Sequence, residues 1–106
     1  MEFQQEIIAV RTTKRVAFLP VMVGVGSGLA YARVHHQSYD LIHVASGWFL
    51  CRGPSTQKAA QEWIARLSTL TDWAQNEQVI ARLPQELIRR VPELRDEVIA
   101  SIEELS

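Results

Sequence analysis

The chain of 106 residues has one cysteine, Cys51, so it cannot form an intramolecular disulfide. A disulfide-stapled secreted scaffold is excluded, and a reducing, cytoplasmic setting is expected. Long hydrophobic runs are equally scarce. The most apolar stretch, 16–25, is broken by Pro20 and Gly24 and is too short to span a bilayer, while residues 1–10 carry Glu2 and Glu6 where an export signal carries positive charge. No membrane partner is expected. Neither sign of charge prevails: 11 Lys and Arg face 12 Asp and Glu, far from the basic excess of a dedicated nucleic-acid binder. Only His35, His36 and His43 are histidines, and no carboxylate or thiolate accompanies them at metal-ligand spacing, so neither a metal nor a cofactor is expected. No Ser-His-Asp grouping, carboxylate pair or activated lysine stands out, and the sequence reads as that of a non-enzymatic protein.

What is present is ordinary for a folded domain: 47% hydrophobic, 22% charged and 8% aromatic residues. A chain of this length buries roughly 65% of its unfolded surface, enough for one core without staples, so residues 1–106 are read as a single domain. The small net charge of −1 hides a polarity, because 1–66 carry +3 and 67–106 carry −4.

The expected class is α+β. A small antiparallel sheet of three to four strands within 14–52 packs on one central helix at 55–72, and C-terminal helices follow over 76–106. Residues 7–10 form a short apolar piece whose type, edge strand or helical turn, the sequence leaves open. Residues 14–23 are apolar without clean alternation, as in a strand covered on both faces. Pro20 lacks the amide a central strand supplies, which places it at an edge or a bulge. Residues 24–28, GVGSG, have the look of a phosphate-cradling loop, but Leu29 stands where a third fingerprint glycine belongs, and a hairpin connection is expected.

Residues 29–35 and 39–45 read as strands about a three-residue loop, and a two-residue Ser46-Gly47 turn leads into a third strand at 48–52. That turn pairs Ala45 with Trp48, His43 with Leu50 and Leu41 with Arg52. Ile42, Val44, Phe49 and Cys51 then form the core face. An odd loop at 36–38 keeps Arg33 out of the core and gives the outward face Tyr31, Arg33, His35, Tyr39, His43, Trp48 and Arg52.

Gly53-Pro54 ends the sheet and Ser55 or Thr56 caps the next helix. Its apolar stripe, Ala60, Trp63, Ile64, Leu67 and Leu70, is expected to lie on the core face, with Trp63 as anchor. From Val79 to Leu105 apolar residues keep helical spacing. Pro84 and Pro92 fit the first turns of new helices, which gives two or three short helices, the last at 92–105, with an acidic outer face (Glu93, Asp96, Glu97, Glu103, Glu104).

The segment TQKAAQEW at 56–63, following a three-stranded sheet, resembles the helix that opens the arm-type DNA-binding domains of tyrosine recombinases. Thr56 matches the capping threonine, Lys58 a basic position, Ala60 the small packing position and Trp63 the aromatic anchor. The resemblance covers residues 29–70 and departs at Ala59, where an acidic residue is common, and in the sparse Arg and Lys of the strands. It implies a nucleic-acid-binding accessory protein of a mobile element, with Tyr31, Arg33, His35, His43, Trp48, Arg52 and Lys58 as contact residues, the aromatics stacking bases and the cations meeting phosphates. The same residue types are enriched in protein interfaces, so the alternative is a protein-interaction or self-association module, with a protein partner or a homodimer.

Overall fold

The computed structural model describes residues 1–105, and the side chains of all of these except Glu77, Val79 and 103–105. The elements run β1 (Phe3–Arg11), β2 (Val16–Gly24), β3 (Leu29–Ala32), β4 (Asp40–His43), β5 (Phe49–Cys51), α1 (Gln57–Leu67), α2 (Glu77–Ala81) and α3 (Gln85–Leu105). The fold is α+β, with an antiparallel five-stranded sheet in the order β1-β2-β3-β4-β5. The sheet therefore has one or two strands more than the sequence predicts. The extra one is β1, the segment left open, which pairs along its whole length with β2 from Phe3↔Gly24 to Arg11↔Val16 about a polar turn at 12–15.

Pro20 sits inside that ladder opposite Ile7 without a register shift. Hydrogen bonding alternates along an antiparallel pair, and Val25 N–H donates to Glu2 O at 2.9 Å. The odd-numbered residues of β2 therefore bond to β1, and Pro20 turns its missing donor the other way. There β3 pairs only with Met22 and Val23, so no ladder bond is lost.

β1 supplies what the sequence reading lacked, a sheet long enough to curl. At its far end Arg11 bridges to Trp48, and Arg11 N–H donates to Gly47 O at 2.8 Å, so the first strand meets the turn before the last. The concave side closes on its own aliphatic cluster of Val10, Val21, Val23, Ala30, Ala32 and Ile42, joined by Val44 and Phe49. Ala30 and Ala32 are small, which suits the inside of a tight curl.

The expected core face is thus buried, but by the sheet itself. The helices take the other face. Tyr31, Leu29 and Leu41 pack with Ala60, Trp63, Ile64 and Leu67 of α1 and with Val91, Leu94 and Val98 of α3. This corrects the outward assignment of Tyr31 and His43, which are 2% and 1% exposed. β3 and β4 are buried on both faces, whereas β2, expected to be so covered, is largely exposed over its first half.

Two registers also differ from expectation. The β3–β4 connection is longer than three residues, because the buried carboxylate of Asp40 gathers it. Oδ2 accepts from His35 N at 3.0 Å and Nδ1 at 2.7 Å, and Oδ1 from the Ser38 hydroxyl at 2.6 Å and Gly53 N at 3.0 Å. At the next hairpin Ile42 pairs with Phe49 and Leu41 with Cys51, with a register shift between them, so Cys51 joins Leu41 on the helix side rather than the aliphatic face.

α1 starts where the sequence predicts, with Thr56 Oγ1 accepting from Ala59 N at 3.2 Å. Trp63 is its anchor, fully buried with Nε1 donating to Val91 O at 2.9 Å. Leu70, expected on the stripe, lies beyond the helix and is exposed. The C-terminal region is the short α2 and one 21-residue helix, α3, that carries Pro92 inside it. Val79, Glu103, Glu104 and Leu105, counted in the predicted stripe and acidic face, have side chains outside those described. Among the described residues no helix is long and apolar enough to cross a membrane.

Candidate interaction face

In an antiparallel pair, directly opposed residues share a face. Met22 opposes both Tyr31 and Gln5, so the outer face continues from Tyr31 through Met22 onto Gln5, Ile7, Ala9 and Arg11 of β1 and Pro20, Phe18 and Val16 of β2. The helices cover this face over β3 and β4 and leave it bare over the β1–β2 hairpin. Phe18 is 77% exposed, Ile7 70% and Val16 61%, with Ala9 and Pro20 between them. Exposed apolar residues scattered singly are normal, but a contiguous row on one sheet face marks a contact surface.

Charge lies at one end of the row. Arg11, Lys14 and Arg15, all exposed, stand at the hairpin tip, while exposed Glu2 and Glu6 alternate with the row residues and belong to the opposite face of the sheet. The free edge of β1 also carries unpaired backbone groups, since its odd-numbered residues face away from β2. At the tip end this edge is blocked, because the Gly47 backbone abuts Ala9 O.

The predicted site residues do not converge on a surface. Tyr31 lies under α1, its hydroxyl donating to Gln57 Oε1 at 3.0 Å and accepting from Gln61 Nε2 at 2.9 Å. His43 is enclosed: Nε2 lies 2.9 Å from both Trp73 O and Gln75 O, so it carries the proton, and Nδ1 lies 2.7 Å from Ser46 Oγ. Trp48 is half-buried, and His35 is half-buried against Phe49 and bound to Asp40. Arg33 is exposed, its guanidinium 5.0 Å over the Tyr39 ring and donating to His36 O. Arg52 and Lys58 are exposed at separate places on the strand end and α1. Arg33, Arg52 and Lys58 remain available to a partner, while the stacking face meant to join them does not form.

The hairpin residues were missed, although a signal for them exists. The polar TTKR at 12–15 sits between two short apolar runs, 7–10 and 16–19, as a turn between two paired strands does. Two further features bear on chemistry. Burial pushes the Cys51 thiol up, the Arg95 guanidinium opposing and the Asp40 carboxylate adding to it. The glycine turn at 24–28 spends its amides locally, Ser27 N on Gly24 O and Leu29 N on Ser27 Oγ, and Gly28 lies against the Trp73–Ala74 backbone. Among the described residues no group of three or more His, Cys, Asp or Glu is placed to hold a metal.

The chain matches no protein-family model, no curated protein and no solved structure.

Proposed function

We propose that the protein is a non-enzymatic docking module that works through the bare outer face of the β1–β2 hairpin, and that a second copy of the chain occupies it. The observation that carries this reading is the row of Ile7, Val16 and Phe18, more exposed than any other large apolar residues among those described, on a sheet face that helices cover over β3 and β4. A two-fold axis can stack two such hairpins tip on tip or tip on base. The first arrangement crowds Arg11, Lys14 and Arg15 of both copies together, whereas the second keeps them apart, so charge selects tip on base.

Strand geometry makes the face about 30 Å long and roughly 300 Å² in area, well under the ~800 Å² per partner of a standard interface. The dimer is therefore weak and concentration-dependent. Sedimentation equilibrium from micromolar to millimolar protein tests it. The expected result is a monomer–dimer equilibrium that Phe18→Asp shifts at least tenfold toward monomer without loss of helical or sheet signal. A wild-type chain monomeric throughout overturns the reading.

One observation favours a nucleic-acid role in place of this one, the grouping of Arg11, Lys14 and Arg15 beside Phe18 at the tip. It predicts salt-sensitive anisotropy changes with labelled single-stranded or duplex oligonucleotides, lost in Lys14→Ala and Arg15→Ala.

A further inference from the structure

Strand β2 has two edges, and over its first half only one of them is used. Its odd-numbered residues bond to β1, and Thr12 N–H donating to Arg15 O at 2.9 Å carries the same alternation to the hairpin tip. The even-numbered residues turn their backbone groups the other way. β3 takes up that edge only at Met22 and Val23. Further along, the N–H and C=O groups of Val16 and Phe18 and the carbonyl of Pro20 have no backbone partner among the described residues. Val16, Phe18 and Pro20 are all exposed.

Free donors and acceptors at strand spacing fit one kind of occupant, a second extended chain whose own N–H and C=O groups alternate in the same way. Charge narrows the choice. Exposed Lys14 and Arg15 stand at the tip end of the edge. At its other end, where β2 and β3 part, exposed Arg33 lines a groove with Pro20, Met22, Tyr31 and Tyr39. None of these three cations pairs with a carboxylate among the described residues, and Glu6, opposite Val21, lies across β1 from the edge. Pro20 and the cations also keep unselected strands away, the proline by withholding a donor and the cations by repelling basic chains. We infer that the β2 edge at 16–20 docks an extended peptide segment with apolar residues at its centre, opposite Val16 and Phe18, and acidic residues on both flanks. The added strand lies beside the hairpin and not on its outer face, so the site does not depend on self-association.

The test titrates the ¹⁵N-labelled full chain, at micromolar concentration where the weak dimer is dissociated, with the capped peptide Glu-Glu-Val-Thr-Val-Thr-Val-Glu-Glu, and follows amide exchange. In the free chain the Val16 and Phe18 amides exchange fast, and those of Ala17 and Leu19, which bond to β1, exchange slowly. Saturating peptide is expected to slow Val16 and Phe18 at least about tenfold and to leave Ala17 and Leu19 as they were. The same peptide with Lys for every Glu should bind at least about tenfold more weakly at low salt. Phe18→Pro removes the free amide and no β1 bond, as Pro20 already does. It should bind the acidic peptide about threefold to tenfold more weakly than Phe18→Ala, the worth of one hydrogen bond, with slow Ala17 and Leu19 amides as the check on its fold. The proposal is overturned by no saturable binding of the acidic peptide up to millimolar concentration, by binding that leaves Val16 and Phe18 exchanging as in the free chain, by equal binding of the two peptides, or by equal binding to a folded Phe18→Pro and to Phe18→Ala. If Phe18→Pro does not fold, the exchange of Val16 and Phe18 in the wild type still decides.

Discussion

At Gly47 the absence of a single carbon lets the sheet close. Its φ is +78°, a region that costs an L side chain about 1–2 kcal/mol, and a Cβ there would stand 2.2 Å from Ala9 O, inside the strand it docks against. Gly26 has the same sign of φ, +79°, but nothing within 4 Å of an added Cβ. Gly26→Ala is therefore expected to cost about 1 kcal/mol. Gly47→Ala should cost about 3 kcal/mol or more, since β1 must also withdraw. Urea unfolding of the two variants gives the comparison, and equal costs would mean that the β1 contact contributes nothing. The sequence marks both glycines as turn residues, but it does not show which of them a strand distant in the chain leans on. Cys51 is a second single-residue case. Its thiol lies above the ordinary value of 9.0, chiefly because burial disfavours the thiolate. The stabilisation from a neutral buried thiol is full below the unfolded pKa and is lost as pH rises through the folded one. Iodoacetamide should therefore alkylate Cys51 more slowly than a free thiol at pH 8, and wild-type stability should fall above pH 9 relative to Cys51→Ala. A thiol that reacts like free cysteine would refute the shift.

Among the elements, α1 was the most legible because its information is local. A cap, Thr56, and apolar residues at three- and four-residue steps specify one helix with one buried side, and both are found. Thr56→Ala removes the acceptor for Ala59 N and is expected to cost about 1 kcal/mol in urea unfolding. Ser55→Ala, one residue outside the cap, should cost nothing measurable. The strands were legible as strands and misread as faces. Alternation says which residues share a side, and Ala30, Ala32 and Ile42 do line one aliphatic cluster. It does not say which side a helix takes when both are apolar. That choice fell to β1, whose Gln and Glu residues weaken its apolar signal and whose arrival lets the concave side fill itself. The shift that pairs Leu41 with Cys51 is just as invisible, since one inserted residue reverses parity and leaves no mark in composition. Pro92 shows the converse limit. It reads as a helix start, and α3 runs through it because Val91, Leu94 and Val98, on both sides of the proline, are held by the same core.

Over the whole molecule, the charge polarity of the chain becomes a polarity in space. The basic part forms the sheet and ends in the hairpin tip with Arg11, Lys14 and Arg15, while the acidic part is largely the helical tail, where Arg90 already pairs with Glu93 and Glu97. Glu2 and Glu6, the nearest acids along the chain, lie on the opposite face of the sheet, so the bare row carries charge only at its basic tip. If two copies meet tip on base, each tip lies over the uncharged end of the other's face, at Phe3, Gln5 and Met22, and Lys14→Glu with Arg15→Glu should leave the dimer constant within about twofold. If they meet tip on tip, the same changes relieve the repulsion between two basic tips and should strengthen the dimer about fivefold to tenfold at low salt. That gain should fade between about 50 and 500 mM salt as the Debye length shrinks. Sedimentation of the wild type and this variant thus decides between the two arrangements even where both give a dimer of the same mass.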